Sequence, residues 1–425
     1  MTPVQGPTEE APQSATSFRR LAQDAGALYF PVSLLARLPM SMLGMACLTY
    51  IVASAEDFTT PGLVTAIGGV GAAIGTPISG ALSDKLGQKP TLLGLCLIHV
   101  LALIGVLYFG SGSDGPVTLT PQLMIIALIA GASIPPSGPM TRVRWINRYG
   151  ADVHQLRTLE AAQSYESTMD ELSFVLGPAS VGILAATFGP AVPIYVAMAL
   201  CIVIIPAFAF HHTEAYSRFK KPRTTVTETT PATQKPPRRG NATLIAITVI
   251  GMLGVGTVFG SLATILTYFA DYTGNPGTGG LIYAVMGITS GLAALSVARW
   301  PVTFSHPARL LTGAVTLVPL VIVLWLPETP LSMSLAILLL GVPIGPILVT
   351  NFTLASSITP SHRMGFVMTL LSAAITLGTS AGNSIAGRLT DAGGHHLALV
   401  ATLGASVLVF ICAFSYTVLN KQKQR

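Results

Sequence analysis

Charged side chains inside long apolar stretches are the most informative chemistry in this sequence. Arg37 lies in the first such stretch, and Glu160, Glu166, Asp170 and Glu171 lie in the first half of the fifth. A charge at the centre of a membrane helix costs about 2.5–3.5 kcal/mol on insertion scales, so such residues usually pair with one another or serve a function. The apolar stretches of the second half of the chain contain no acid except at their ends. We therefore expect coupling chemistry in the first half.

Arg37 is expected to pair with one acid of the fifth stretch. At ~1.5 Å per helical residue, Arg37, Asp170 and Glu171 lie at similar depths. Adjacent helical residues point about 100° apart, so Arg37 cannot bind both acids equally, and Asp170 stacks one turn above the like-charged Glu166. The acid left over is the candidate proton carrier, and it is either Asp170 or Glu171. The alternative is a permanent ion pair that only fixes the packing of the two helices.

The composition predicts a membrane protein that crosses the bilayer many times. Hydrophobic residues make up 51% of the chain and charged residues only 9%, and the mean hydropathy is +0.65. A soluble protein carries about 25% charged residues. The net charge of +6 does not indicate a nucleic-acid partner, because the basic residues lie in short loops rather than on one amphipathic face.

Twelve apolar stretches are long enough to cross a membrane, which predicts an all-α membrane protein. They lie near residues 27–54, 60–82, 90–110, 121–145, 158–187, 190–211, 242–270, 276–298, 308–327, 331–357, 365–388 and 396–419. Every Lys and Arg except Arg37 and Arg388 falls in a terminal tail or in or beside an even-numbered loop. The positive-inside rule then predicts that both termini are cytoplasmic. Arg142 is expected at the inner surface, and span 4 is expected to have no buried Arg.

The long loop at 212–241 is rich in Thr, Pro, Lys and Arg and is interpreted as a flexible linker between two six-helix halves. The halves share short patterns in the same order, such as Gly131-x-x-Ile134-x-Pro136 and Gly341-x-x-Ile344-x-Pro346. These matches predict a parallel internal repeat. The resulting division is a tail at 1–26, a bundle at 27–211, the linker, a bundle at 242–419 and a tail at 420–425.

A cluster of charge and glycine separates spans 2 and 3. Gly80, Asp84, Lys85, Gly87 and Lys89 form the pattern Gly-x-Leu-x-Asp-Lys-x-Gly-x-Lys. It resembles the loop signature between the second and third spans of the major facilitator superfamily of secondary transporters, and the resemblance covers nearly the whole chain. It implies twelve helices in two six-helix pseudo-repeats around a central cavity. It also implies a gate in which Asp84 faces the cytoplasmic start of span 11.

The same resemblance assigns further residues. In the superfamily spans 1, 4, 7 and 10 line the cavity, which implies tentative cavity positions at Met40, Pro135, Pro136, Tyr268 and Asn351. Span 5 carries Gly177-Pro178, which resembles part of the Gly–Pro motif of drug/proton antiporters. The fuller glycine spacing of that motif is absent.

These features favour a transporter that exports a drug-like compound or metabolite in exchange for protons by alternating access. The expected partners are a small-molecule substrate, protons and membrane lipid, with no nucleic acid, and the chain is expected to be a monomer in a bacterial cytoplasmic (inner) membrane. No cofactor or enzymatic activity is expected, because no nucleophile, metal set or phosphate loop lies at usable spacing. No metal site is expected at the adjacent His395 and His396, because no third ligand lies nearby. The alternatives are a sugar or nutrient uptake permease, and a non-transporting receptor or assembly factor on the same fold.

Overall fold

Long helices dominate the structure, which is a computed structural model. It describes residues 13–55, 59–112, 116–150, 152, 155–217, 241–274, 279–301 and 303–424, and most of the predicted linker, residues 218–240, lies outside them. The α-helices are α1 Gln13–Ala25, α2 Tyr29–Leu35, α3 Leu38–Val52, α4 Thr59–Leu86, α5 Gln88–Phe109, α6 Pro121–Ala132, α7 Ser137–Tyr149, α8 Leu156–Phe188, α9 Val192–Phe210, α10 Ala242–Tyr272, α11 Gly279–Ser296, α12 His306–Val323, α13 Pro330–Ile358 and α14 Met364–Gln424. Short 3₁₀ turns lie at His212–Tyr216, Val297–Arg299 and Ser361–Arg363. The described residues contain no strand.

Within the described ranges, ten helical segments are long and apolar enough to cross a membrane. One of them, α14, breaks at Gly393 and Gly394, where Gly394 has a φ of 70° in the left-handed region, and it therefore contains the two predicted spans 11 and 12. The 33-residue helix α8 is also long enough to cross, although its charges set it apart from the ten. This arrangement agrees with the twelve crossings predicted from hydropathy.

Prolines break spans 1 and 4 into two helices each. Pro39 follows the junction of α2 and α3, and Pro135 and Pro136 separate α6 from α7. A proline has no N–H, so it cannot continue the hydrogen-bond ladder of the preceding turn. The break in span 4 is followed by a helix that runs to Tyr149, which extends the span beyond its predicted end at residue 145.

The glycine pattern shared by spans 4 and 10 is used in the same way in both halves. A Cβ on Gly131 of α6 would collide with the backbone of Gly68 in α4, and one on Gly341 of α13 would lie 2.6 Å from the carbonyl oxygen of Met286 in α11. Span 4 thus packs closely on span 2, and span 10 packs closely on span 8. The repeat predicted from sequence therefore has a counterpart in helix packing.

Candidate functional site

Arg37 lies at the junction of α2 and α3 and is 4% exposed. Its guanidinium donates to Asp170 Oδ1 from Nε at 2.7 Å, to Glu166, and to the Ser33 carbonyl oxygen at 2.8 Å. It also donates to Thr141 Oγ1 of α7 at 3.1 Å. One arginine therefore connects span 1 to spans 4 and 5. Of the two acids that the sequence left open as partners, Asp170 pairs with Arg37 and Glu171 does not, and Glu166 is a second acid on the same guanidinium.

Glu166 is fully buried, and both of its oxygens accept hydrogen bonds. Oε1 accepts from Tyr29 Oη and from Trp145 Nε1, each at 2.7 Å. Oε2 accepts from Thr141 Oγ1 at 2.7 Å and from Arg37. Because a buried carboxylate needs this many donors to offset its lost hydration, Glu166 is a well-satisfied anion.

Arg142 of α7 corrects one sequence expectation. It is 1% exposed rather than at the surface, and it donates to Asp170 Oδ2 at 2.7 Å and to Gln163 Oε1 at 2.8 Å. The guanidinium carbon lies 3.7 Å from the centre of the Phe352 ring, which belongs to α13 in the other half of the chain. The prediction that span 4 has no buried Arg is wrong, because the proline break and the extension of α7 carry Arg142 away from the helix end.

A second arginine of α7 is also buried. Arg144 donates to Gln88 Oε1 of α5 and to Thr213 Oγ1, each at 2.9 Å. Its guanidinium carbon lies 3.9 Å from the centre of the Phe208 ring of α9. Arg144 thus ties span 4 to the outer helices of its own half. A signal for both arginines was present in the sequence as the Pro135-Pro136 pair, which indicates a helix restart.

Glu171 differs from the other acids of α8. It is 5% exposed, and within the described part of the chain its Oε1 has no hydrogen-bond partner and no Lys or Arg forms an ion pair with it. Ser290 and Tyr283 of α11 lie nearby. One turn earlier, Thr168 Oγ1 donates to the Gly291 carbonyl oxygen at 3.0 Å across the interface of the halves. Glu171 is therefore a buried carboxyl at the meeting point of α8 and α11.

Two adjoining cavities lie between the halves. The first, of about 50 Å³, is lined by the charged residues Arg37, Arg142, Asp170 and Glu171, together with the rings of Phe174, Phe259 and Phe352. The second, of about 220 Å³, is lined mostly by small and apolar residues of α3, α4, α6 and α14. Both include Met40, Ser41, Phe174 and Ile375 in their walls. The charged cluster therefore borders a space large enough for part of an organic molecule.

One end of the bundle carries Lys85, Lys89 and Arg363, and we call it the basic end. Here Asp84, at the end of α4, accepts from the backbone N–H groups of Gly365 and Phe366, each at 2.9 Å, at the start of α14. A carboxylate at a helix N-terminus satisfies N–H groups that have no partner within the helix. Glycine at position 80 permits the close approach, since a Cβ there would lie 2.5 Å from the Gly365 carbonyl oxygen.

Other residues of this loop have local roles. Gly87 has a φ of 95° and separates α4 from α5, and the ammonium nitrogen of Lys89 lies 3.9 Å from the centre of the Phe210 ring.

A second connection joins the halves at the basic end. Glu160 of α8 lies 3.0 Å from His306 Nε2 and 3.5 Å from an Arg309 nitrogen, both in α12. Arg157 donates to the Trp300 carbonyl oxygen at 2.7 Å. The first half is thus joined to the second from α4 and from α8. The larger cavity borders the first half of α4, far from this closed end, so the structure is closed at the basic end.

The sequence comparison decides the family. The sequence model of the Major Facilitator Superfamily matches residues 29–382. The chain belongs to this superfamily. No curated protein matches the chain.

Solved structures of transporters share the facilitator fold with this chain. The human organic anion transporter MFSD10 (TETRAN) is 15% identical, with a TM-score of 0.69 over 93% of this chain and 99% of that chain. A bacterial homologue of the iron transporter ferroportin, in an outward-facing state with soaked iron, is 17% identical, with a TM-score of 0.68 over 91% and 98%. Another structure of a bacterial ferroportin homologue, also outward-facing, is 18% identical, with a TM-score of 0.67 over 91% and 99%. At these identities the likeness is one of fold.

Some residues assigned to the cavity by family resemblance lie elsewhere in this facilitator. Pro135 and Pro136 are buried at the helix break, next to the cavity residues Ile134 and Ser137. Tyr268 is 36% exposed and stacks on Tyr272, outside both cavities. Asn351 is buried against Gly251 of α10. For Asn351, helix rotation explains the difference, because it is the neighbouring Phe352 and Leu348 of α13 that line the cavity.

The Gly177-Pro178 pair lies in α8. A Cβ on Gly177 would collide with Ser41 of α3, so this glycine lets spans 1 and 5 pack closely, beside the wall that carries Met40 and Ser41.

Proposed function

We propose that this facilitator is a proton-coupled exporter of small organic solutes in a bacterial cytoplasmic membrane. The solute would bind in the space between the two halves, which open alternately to the two sides of the membrane. The basic end, which carries most loop Lys and Arg residues, is the cytoplasmic end by the positive-inside rule, and both termini lie there. The closed basic end and the cavity beyond it then correspond to an outward-facing conformation.

The observation that carries the proposal is the difference between Glu171 and its neighbours. Glu166 and Asp170 both contact Arg37, and Asp170 also contacts Arg142, so each of these acids has an arginine partner. Glu171 has no such partner in the described part of the chain and borders the cavity. A buried acid without a cation partner is stable when neutral, and it gains a proton more easily than a paired acid does. We therefore assign the role of proton carrier to Glu171. Asp170 holds the guanidinium groups of Arg37 and Arg142 in position.

The two connections at the basic end account for gating. In the outward-facing state Asp84 binds the start of α14, and Glu160 lies against α12. Both connections must break for the basic end to open. Each connection contributes on the order of 1 kcal/mol, as is usual for a carboxylate at a helix terminus or a partly exposed ion pair. The binding of a solute or a proton therefore supplies enough free energy to shift the balance between the outward-facing and inward-facing states.

The solutes named for the similar structures differ from one another, so they do not identify the solute of this chain. Organic anions and iron are named for those proteins. In the described ranges of this chain no three His, Cys, Asp or Glu residues form a group that could hold a metal ion. The first cavity combines charged side chains with three phenylalanine rings, and the adjoining cavity is mostly apolar, which supports an organic solute.

The test is transport in proteoliposomes with an imposed pH gradient. Candidate solutes are added, and collapse of the gradient is followed with a quenched dye. We expect an exported solute to move against the protons in the wild type. Glu171→Gln should still exchange solute for solute, because the cavity remains, but it should lose accumulation driven by the pH gradient.

Glu328→Gln is the matched control, because Glu328 is exposed and distant from the cavity in sequence and fold. It should transport like the wild type. Intact pH-driven transport in Glu171→Gln would end the assignment of the proton carrier. Movement of the solute together with protons would instead indicate an uptake permease. Binding without transport in any gradient would indicate a receptor.

A further inference from the structure

The second cavity lies to one side of the charged cluster. Its walls come from α3, α4, α6 and α14, which belong to spans 1, 2, 4 and 11, and from Phe174 of α8. Of these spans, the family resemblance assigned only 1 and 4 to the cavity. At about 220 Å³ it is the larger of the two cavities, and none of the described residues that line it is a Lys, Arg, His, Asp or Glu. A charged group of a solute therefore finds no ionic partner in this wall.

The hydroxyl groups of this wall already donate within their own helices. Their acceptors are carbonyl oxygens at 2.9–3.2 Å: Ser41 donates to Leu38, Thr65 to Pro61, Thr376 to Ser372, Thr379 to Ile375 and Ser380 to Thr376. A hydroxyl group has one O–H, so none of the five has a second proton to offer a ligand. The wall therefore favours an uncharged apolar group over an anion or any other group that needs donors.

Two glycines of the wall differ from a packing glycine of the same region. A Cβ on Gly44 of α3 would lie 3.7 Å from Thr65 Cγ2, and one on Gly68 of α4 would lie 3.6 Å from the Ala127 carbonyl oxygen, both ordinary contact distances. By contrast, a Cβ on Gly71, one turn further along α4, would collide with the backbone of α6. Gly71 is thus needed for close helix packing. At Gly44 and Gly68 the missing side chain instead leaves space in the cavity.

The size and position of the second cavity indicate what it can hold. The two cavities share Met40, Ser41, Phe174 and Ile375, so a solute bound between the halves can place one part in each. An apolar cavity of about 150 Å³ in another protein binds benzene. The volume of about 220 Å³ therefore suits a larger group, such as two fused rings.

We propose that the second cavity is a subsite for an uncharged, apolar group of about two fused rings, and that Gly44 and Gly68 set its size limit. The inference rests on the proposed function. It adds the part of the solute that this cavity recognises and the residues that select its size, and it does not depend on which residue carries the proton.

The test measures binding to the purified full chain in detergent. Radiolabelled 1-naphthylmethanol is the uncharged two-ring probe, and binding to empty micelles is subtracted. Unlabelled benzyl alcohol, with one ring, and 1-naphthoate, an anion with the same two rings, are the competitors. We expect 1-naphthylmethanol to bind, benzyl alcohol to displace it, and 1-naphthoate to compete far more weakly than unlabelled 1-naphthylmethanol does.

Gly44→Ala and Gly68→Ala each place one methyl group in the cavity. Each should weaken the binding of 1-naphthylmethanol by about three- to tenfold and change that of benzyl alcohol by less than about twofold, because the single ring leaves room for the methyl group. Gly62→Ala is the matched control on α4, since Gly62 is exposed and a Cβ there would meet no atom of the described residues within 4 Å. It should change neither affinity, and melting curves show that each variant is folded.

Four results would overturn the inference. They are the absence of 1-naphthylmethanol binding to folded wild-type protein, equal competition by 1-naphthoate, unchanged affinity in both folded alanine variants, and an equal loss of affinity for the one-ring and two-ring compounds. Proton-driven solute transport by a protein that shows any of these would leave the proposed function standing. Size-selective binding that depends on Gly44 and Gly68, in a protein that moves no solute in any gradient, would support the subsite and contradict the proposed function.

Discussion

Glu166 and Glu171 lie five residues apart on one helix and have opposite surroundings. Glu166 accepts from Tyr29, Trp145, Thr141 and Arg37, whereas Glu171 has an oxygen with no partner in the described residues. Replacing Glu166 would leave the four donors without their acceptor. At the scale of single residues, the helix therefore carries one acid that joins three spans by hydrogen bonds and a second acid with an unpartnered oxygen beside the cavity.

Glu166→Gln should destabilise the protein. The amide leaves Arg37 with one acid fewer and places an NH₂ group where an acceptor is needed. Breaking a buried ion pair costs about 3–5 kcal/mol, so we expect a marked fall in melting temperature or loss of folded protein. Thermal unfolding in detergent measures this. Glu171→Gln is the comparison, and it should unfold at or above the wild-type temperature; equal destabilisation of the two variants would contradict the division of roles.

The sequence indicated part of this cluster. Arg37 was predicted to pair with either Asp170 or Glu171, because these charges lie at similar depth in helices of the same half, and the sequence did not decide between the two acids. Glu166 was included in the charged group, but as a like-charged neighbour of Asp170 rather than as a partner of Arg37, because spacing along one helix does not show which side chain faces another helix. Arg142 was assigned to the inner surface, because a basic residue near the end of an apolar stretch fits the positive-inside rule and hydropathy does not reveal where a helix restarts after two prolines.

At the scale of elements, α4 and α14 form the clearest hydrogen-bonded contact between the two halves. The end of α4 brings Asp84 to the free N–H groups of Gly365 and Phe366. The contact depends on the absence of a side chain at Gly80. It joins elements of opposite halves, so it exists only while the basic end is closed. The resemblance of the loop to the facilitator signature implied that Asp84 faces the start of span 11, whereas the loop pattern by itself does not name the partner helix.

Asp84→Asn should shift the population toward an open basic end. The amide keeps the shape but loses the charge that favours a helix N-terminus, an effect of about 0.3–1 kcal/mol, or roughly a two- to fivefold change in population. Spin labels at Leu86→Cys and His362→Cys, both exposed positions, report the distance between the end of α4 and the 3₁₀ turn before α14 in a background without the native cysteines. We expect a larger share of long distances. Glu328→Gln in the same background is the control, and an unchanged distribution in Asp84→Asn would remove the gating role.

At the scale of the whole molecule, the fold was the most predictable property. Hydropathy and helix length are sufficient to locate spans in a chain with 51% hydrophobic residues, and the observed helices follow the predicted stretches within a few residues. The cavity was less predictable. Which residues of α13 face it depends on rotation of the helix, and a shift of one residue moves the wall from Asn351 to Phe352.

Orientation in the membrane gives a further prediction. Arg363→Cys at the basic end should react with an impermeant thiol reagent only from the cytoplasmic side, and Glu328→Cys only from outside. Both side chains are exposed. Whole cells and inside-out vesicles distinguish the two sides. Cys201, which is fully buried, is an internal control that should not react in either preparation; labelling of positions 328 and 363 from one side would refute the topology.

The stacking of Arg142 on Phe352 has a mechanical consequence. A hydrogen bond is lost when its atoms separate by a fraction of an ångström beyond about 3.5 Å. The attraction between a guanidinium group and an aromatic ring depends less on direction. It persists while one plane slides over the other, as long as the guanidinium stays within about 6 Å of the ring centre. The Arg142–Phe352 contact joins the two halves beside the central cavities. We therefore expect the halves to stay in contact here, with the guanidinium sliding over the ring, while the Asp84 and Glu160 connections at the basic end form and break.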